Sequence, residues 1–387
     1  MNILYIHRTQ GEEPESIHIL SIVKSLRNLG HSVEILGPSK AAMDSAGSNV
    51  KTLSKVKQFL PKFLFELAQI FYNFIIYKKF KDYIEHYKPD FIYERYALYS
   101  FVGVWIANKL SIPIILEVNT PYAHAWDKYY KLYFPAFAKK VEKYILNAAD
   151  HVITVTEIQK GFLAEHYLNE DDISVAQNAI NSDEFNPNIE PIQLNWNIND
   201  PIVIGFVGTM NRWQGIPILS DVIPTVIKAI PNAVFLLVGD GEFKATLESE
   251  INKLNLQDSV MFPGRVAHID VPRYVSAMDI TILPDSNTHG SPMKIFEYMA
   301  AKKAVIAPDV EPVREIIEHN KTGLIIDRSN SDQLSDAIIE LLTNMDKRDY
   351  LSNNAYDYVT ENHTWHVNAS KIIDAYKIIS KEHANVN

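Results

Sequence analysis

The sequence predicts an α/β chain of two domains, each built around a parallel sheet. Three observations predict it. Short apolar runs alternate with amphipathic segments along the chain. The runs stop at Gly, Pro, Asn or a charged residue, as strands buried on both faces do. The pattern then restarts after a polar, proline-bearing stretch near residue 190. At 387 residues the chain is also too long for one ordinary core.

The first domain is expected over residues 1–190. Asn2 to His7 reads as a strand, and Pro14-Glu15-Ser16 opens a helix with Ile19, Ile22, Val23 and Leu26 on one face. Gly30-His31 ends that helix, and Ser32 to Leu36 is the next strand. Residues 51–88 read as a pair of helices with seven lysines against one glutamate between Lys51 and Lys81. A solvated lysine face is the plain reading, and peripheral contact of 51–81 with an anionic membrane is the sharper one. Pro89 to Arg95 is a third strand, Tyr99 to Leu110 a helix, and Pro113 to Val118 a fourth strand. A helix from about Tyr133 to Ala148 and strands at His151–Val155 and Ile173–Ala176 follow. Ligands of open α/β sheets collect beyond the C-terminal strand ends, so Glu94, Arg95, Glu117 and Asn119 are candidate acceptor contacts. His124 joins them as an acceptor-binding candidate.

Between Asn186 and Asp200 the sequence turns polar, with Pro187 and Pro191 among five asparagines, and reads as the linker. The second domain is expected over 200–365. Its strands are Ile202–Val207, Ala233–Val238, Val260–Phe262, Ile280–Leu283, Ala304–Ala307 and Gly323–Ile326. The tail from Trp365 to about Ile379 reads as an amphipathic helix, and 366–387 is expected to pack back on the first domain. Two Rossmann-like halves facing a ligand cleft are the expected architecture.

Composition narrows the function. The apolar fraction of 47% and charged fraction of 22% suit a soluble globular protein. No apolar run reaches the length of a spanning helix, and the N-terminus enters a strand without a signal-peptide pattern. The absence of cysteine excludes disulfides and thiolate chemistry and fits the cytoplasm. A net charge of −10 argues against nucleic acid as a partner. A dinucleotide-binding oxidoreductase would carry G-x-G-x-x-G after its first strand. Here that loop is Arg8-Thr9-Gln10-Gly11-Glu12-Glu13, with one glycine and two carboxylates.

The strongest local signal is His289-Gly290-Ser291-Pro292-Met293-Lys294-Ile295-Phe296-Glu297. It follows a buried-strand run, and a helix is expected to begin with Pro292 in its first turn. Strand, tight loop and helix N-terminus together make an anion site, and Lys294 adds a full charge to it. Glu297, one turn further on, has the reach for a sugar hydroxyl. A nucleotide-sugar diphosphate is the expected ligand.

Taken together these residues resemble a GT-B glycosyltransferase of the large retaining family 4, in the subgroup reading H-G-S-P-x-K. The resemblance rests on Glu117-Val118-Asn119-Thr120-Pro121, Ala148 to Thr156 and Asn178-Ala179-Ile180-Asn181 in the first half. In the second half it rests on Gly205 to Gly208 with Trp213-Gln214-Gly215, Val238 to Gly241, Phe262 to Val266, and Phe296 to Ala300. It covers nearly the whole chain. It implies two Rossmann-like domains with parallel sheets facing a central cleft, acceptor-side first and donor-side second. It implies a UDP-sugar before other nucleotide sugars, a hydroxyl acceptor, retention at the transferred carbon, and no cofactor.

Carried over by position, Glu297 matches the second glutamate of the family's E-x7-E and is expected on the donor ribose. His289 stands where the first glutamate would be, and His289 or the Gly290-Ser291 backbone is expected to replace it. The family's arginine after Gly208 and its later lysine are here Thr209 and Gln214. Arg212 and Lys294 are expected to supply the phosphate charge instead. Arg265 and Val266 match the base-reading segment, and Gly239 a tight turn under the nucleotide. His18 stands where the family commonly places a histidine near the cleft. Glu117, Arg212, Lys294 and His18 are thus the catalytic candidates, with Gly208, Thr209, Ser291, Pro292 and Met293 on the donor.

Loss of a sugar from a diphosphate builds charge on the leaving oxygen, and fixed donors stabilise it. Removing one such donor costs about 2.7–4 kcal/mol of barrier in other enzymes. The chain has no D-x-D triplet, so no metal is expected. The acceptor is open: a surface polysaccharide precursor, a lipid-linked glycan or a small metabolite. Two rivals remain, a nucleotide-sugar epimerase-like enzyme and a catalytically weak donor-binding partner subunit of another transferase.

Overall fold

The computed structural model describes residues 1–9, 13–37, 61–124, 132–288 and 290–386. The chain forms two compact units, Met1–Gln177 with Trp365–Asn387, and Asn178–Thr364. In the first, strands β1 (Asn2–Ile6), β2 (Ser32–Leu36), β3 (Phe91–Arg95), β4 (Ile114–Val118), β5 (His151–Thr154) and β6 (Ile173–Val175) form one parallel sheet. Their order is β2-β1-β3-β4-β5-β6. All five residues of β4 are buried, as a strand covered on both faces requires. Helix Glu13–Asn28 turns Ile19, Ile22, Val23 and Leu26 into the core. Of the two helices expected over 51–88, Lys62–Tyr87 is described, burying Ile76, Phe80 and Ile84. Residues 51–60 lie outside the described residues.

In the second unit β7 (Ile202–Val207), β8 (Ala233–Val238), β9 (Val260–Gly264), β10 (Ile280–Ile282), β11 (Ala304–Pro308) and β12 (Leu324–Ile326) are again parallel. The order is β12-β11-β10-β7-β8-β9. Every residue of β8 is buried. The two sheets and their helices make the α/β, GT-B architecture.

The unit boundary falls at Gln177 and Asn178, ahead of the expected linker. Residues beyond it bond into the second unit. The Ile180 N–H donates to His363 O at 2.9 Å, the Ile192 N–H to Arg273 O at 3.0 Å, and Ser276 Oγ to Ile189 O at 2.5 Å. Phe185 joins the core, and Leu194, Trp196 and Ile198 pack on a cluster around Val234 and Leu236. Apolar residues interleaved with the asparagines thus make 186–200 a strap along the second unit. The chain returns at Trp365. Helix Trp365–Val386 lies on the first unit, with Tyr376 stacked 4.6 Å from Phe91 and Trp365 edge-on to His18 at 4.8 Å. No described helix is long and apolar enough to cross a membrane.

Candidate active site

In each sheet the chain runs outward one way and then returns to the other side of its first strand. The C-terminal ends of the two strands flanking that reversal frame a crevice where ligands bind. In the second unit those strands are β7 and β10. Gly208 follows β7, and the loop after β10 leads to helix Met293–Ala300.

The Gly208 loop is held by close approach. Gly208 has φ +151° and Gly239 has φ +134°, values an L side chain rarely adopts. A Cβ on Gly239 would strike Gly208 O, and one on Gly208 would land on Lys294 Nζ. Lys294 therefore fills the space Gly208 leaves open. Its Nζ donates to Gln214 Oε1 and lies 4.7 Å from the centre of the Phe206 ring. Gln214, buried, donates in turn to Thr209 Oγ1 at 3.0 Å, and its carbonyl accepts from the Asp285 N–H at 3.1 Å. Gln214, where the resemblance implies a lysine, instead accepts from the lysine of another element. That contact joins positions 80 apart, and no local pattern announces it.

Burial lowers Lys294 to a pKa of about 7, with Glu297 opposing the shift. Burial also raises Glu297 to about 7, Lys294 opposing and Glu184 reinforcing. The Glu297 carboxylate accepts no hydrogen bond from a described residue. Pro292 sits at the N-cap in an extended conformation, one position before the expected first turn, and no side chain caps the helix. The loop before it is pinned at both ends. Asn178 Nδ2 donates to Ser291 O at 3.0 Å, and the Gly290 N–H to Asn287 Oδ1 at 2.6 Å. Ser291 Oγ is buried with no partner. Asp285 accepts from Arg328 Nε at 2.9 Å and Ser329 Oγ at 2.7 Å, an anchor that sequence reasoning missed.

Arg212 is not in this cluster. Its guanidinium is exposed and lies over the Phe243 ring at 5.0 Å. Arg265 is exposed beyond β9, while Val266 packs on the cluster around Val234 and Leu236. His289 lies outside the described residues.

In the first unit the reversal flanks β1 and β3. Register decides which side chains meet there. Tyr5 pairs with Tyr93, and Arg95 with Glu117, so these four share one face. The buried Glu117 carboxylate accepts from Tyr93 OH at 3.0 Å, Tyr5 OH at 3.3 Å, Asn119 Nδ2 at 2.5 Å and Arg95. His18 Nε2 lies 3.0 Å from the same oxygen as Arg95. Burial alone would raise this carboxyl. The His18 ring, the Arg95 guanidinium and the hydrogen bonds outweigh it and hold Glu117 well below the usual carboxylate range. A carboxylate has about four lone-pair directions. Four hydrogen bonds already fill them, with the His18 ring beside one oxygen, so none is left for a substrate hydroxyl and Glu117 holds Arg95 and Asn119 in place.

Glu94, next along β3, points to the opposite face, away from the other acceptor candidates. It is buried against Gly103 at the start of helix Val102–Leu110, where Ser100 Oγ donates to it at 3.3 Å. Burial raises it to about 8, with Arg8 opposing. His124 is exposed and packs on Phe162 at 4.8 Å, apart from Glu117. Among the described residues no group of three or more His, Asp and Glu is placed to hold a metal ion.

Comparison with known proteins bears on both units. Residues 16–184 match Glycosyltransferase Family 4, and residues 188–358 match Glycosyl transferases group 1. An uncharacterised glycosyltransferase of Methanocaldococcus jannaschii is 23% identical over 64% of this chain, and the match spans 62% of that relative. A GDP-mannose-dependent alpha-(1-6)-phosphatidylinositol monomannoside mannosyltransferase of Mycobacterium tuberculosis is 29% identical over 42% of this chain and 43% of its own length. The chain thus spans less than two thirds of either relative. The structure of Anabaena HepE in complex with UDP superposes with a TM-score of 0.70 at 17% identity, covering 100% of both chains. The chain thus carries a glycosyltransferase family 4 domain in its first half and a group 1 domain in its second, on the GT-B fold.

Proposed function

We propose that the protein moves a sugar from a nucleoside diphosphate sugar, UDP before GDP or ADP, to a hydroxyl acceptor, with retention and without a bound metal. One observation carries this reading: Lys294 Nζ, half-buried beside Gly208 at the start of helix Met293–Ala300, has a neutral amide as its hydrogen-bond acceptor. An ammonium partly withdrawn from water gains from a further counter-charge. A diphosphate at the helix N-terminus supplies it, and the Met293 and Lys294 end of the helix adds its dipole.

As the bond from the sugar to the β-phosphate breaks, negative charge grows on the leaving oxygen. Lys294 meets it with a positive charge fixed beside the helix N-terminus. Glu297, with no hydrogen-bond donor of its own, takes the ribose hydroxyls. Arg212, exposed in the same loop, is free to swing from Phe243 toward the phosphates. In the first unit Arg95, Asn119 and His18, fixed by Glu117, hold the acceptor. UDP is supported by HepE, solved also with UDP-glucose, while the mycobacterial relative's GDP-mannose keeps the base open to test. The cytoplasm is the matching compartment, supported by the absence of cysteine.

The test is single turnover with labelled UDP-, GDP- and ADP-sugars, with and without chelator, read by mass spectrometry of products. Transfer or slow donor hydrolysis that survives chelator supports the reading. Nucleotide binding with neither reaction would favour the donor-binding partner subunit, and interconversion of the donor sugar an epimerase-like enzyme.

A further inference from the structure

On the first unit, helix Lys62–Tyr87 leaves large apolar side chains in water: Ile75 is 76% exposed, Phe71 60% and Phe74 56%. Residues before and within helix Pro135–Asn147 do the same with Tyr133, Phe137 and Tyr144. The two sets are continuous. Phe63 lies 5.9 Å from Tyr133 between ring centres, and Phe74 lies 5.8 Å from Phe101. A groove of about 360 Å³ runs between them, walled by Phe74, Phe101, Trp105, Phe137 and Tyr144, and among the described residues the only charged one along it is Lys140. Scattered surface hydrophobics are ordinary, but a joined aromatic face marks an interaction surface.

Charge selects the partner. Lys78, Lys79, Lys140 and Lys143 are exposed around the apolar face. The acidic residues between 63 and 79 and between 132 and 147 are Glu66 and Glu142, and both are buried. Glu66 is consumed by Tyr99 OH and the Tyr133 N–H, and Glu142 by Tyr96 OH and the Ala123 N–H. A second copy docked by a two-fold axis would set lysine against lysine. An anionic lipid surface instead meets the lysines with phosphate and the aromatic rings with the headgroup boundary.

We propose that this face rests on an anionic bilayer, with Phe71, Phe74, Ile75 and Phe137 in the headgroup boundary and the lysines against lipid phosphates. The surface is wider than the 51–81 stretch that the sequence suggests, because a helix some 60 residues further on supplies its second wall. It stands apart from the sugar-transfer chemistry and holds whichever nucleotide is used.

Co-sedimentation with vesicles tests it. The full chain is expected to pellet with phosphatidylcholine vesicles containing roughly one third phosphatidylglycerol at least about tenfold better than with phosphatidylcholine alone, and less in high salt. Phe71→Ser with Ile75→Ser should abolish pelleting while melting temperature and UDP binding stay unchanged. Lys140→Glu with Lys143→Glu should remove the preference for phosphatidylglycerol. Absence of pelleting with either vesicle overturns the proposal. So does unchanged pelleting of the double serine variant, or a change from dimer to monomer in that variant with no vesicle binding by the parent chain.

Discussion

The two units each bury charged residues at a strand reversal, and they treat them oppositely. In the first, Glu117 accepts four hydrogen bonds, has the His18 ring beside it and is held ionised. In the second, Lys294 and Glu297 are half-buried with few partners, and desolvation pushes both toward neutrality. The first network is complete without a ligand. The second is short of charge on its own, and incomplete pairing in a preorganised loop is where a ligand's binding energy goes. The contrast sets a self-sufficient cluster against one with room for a charged ligand.

The largest expected effect breaks the contrast from the side of the first unit. Glu117→Gln leaves Arg95 without a counter-ion and should cost about 3–5 kcal/mol of stability, read by denaturant melts. Sign follows from linkage. The folded carboxyl lies below its unfolded value near 4.3, so its contribution is present above that pH and lost as acid is added. The variant's loss should therefore shrink between about pH 4 and pH 2. Next comes Lys294→Met, expected to lower kcat by about 10²–10³-fold with melting temperature unchanged or higher, since a desolvated charge is removed. Full turnover by that variant would sink the proposed role.

Gly208→Ala displaces the ammonium sterically and should weaken UDP binding by about tenfold, measured by calorimetry, because the new methyl takes the Nζ position. A finer test is pH. With Lys294 near 7 in the free protein, UDP must recharge it above that value. Binding should take up close to one proton at pH 8, and affinity should fall up to about tenfold per pH unit above 7. Glu297, also near 7, ionises over the same range and repels phosphate in the same direction, so Lys294→Met should keep only the weaker part of the slope. The last test is Glu94→Gln, read on stability rather than on binding. Its folded pKa near 8 lies above the unfolded value, so the wild type loses stability as pH rises from about 4 toward 8. The variant should gain on the wild type over that window, by about 1–3 kcal/mol.

The sequence carried most of the fold because the strands are buried on both faces and read as apolar runs. Helix Met293–Ala300 was legible for a similar reason: Pro292 and the small residues before it are local signals. What could not be read was long-range. Glu94 and Arg95 look alike as neighbours after a strand, and only the pairing of Arg95 with Glu117 separates their faces. Gln214 looks like the loss of a lysine until its contact with Lys294 is seen. Asp285 and Arg328 lie 43 residues apart on different loops. The polar stretch 186–200 misleads because its asparagines outnumber the apolar residues that hold it down.

The path of the chain has a practical consequence for dissecting the protein. Because Trp365–Asn387 completes the first unit, cutting at residue 364 strips the ring from against His18 and bares the sheet beside Phe91. Residues 178–364 are contiguous and form one fragment, whereas the first unit is whole only when 1–177 is joined to 365–387.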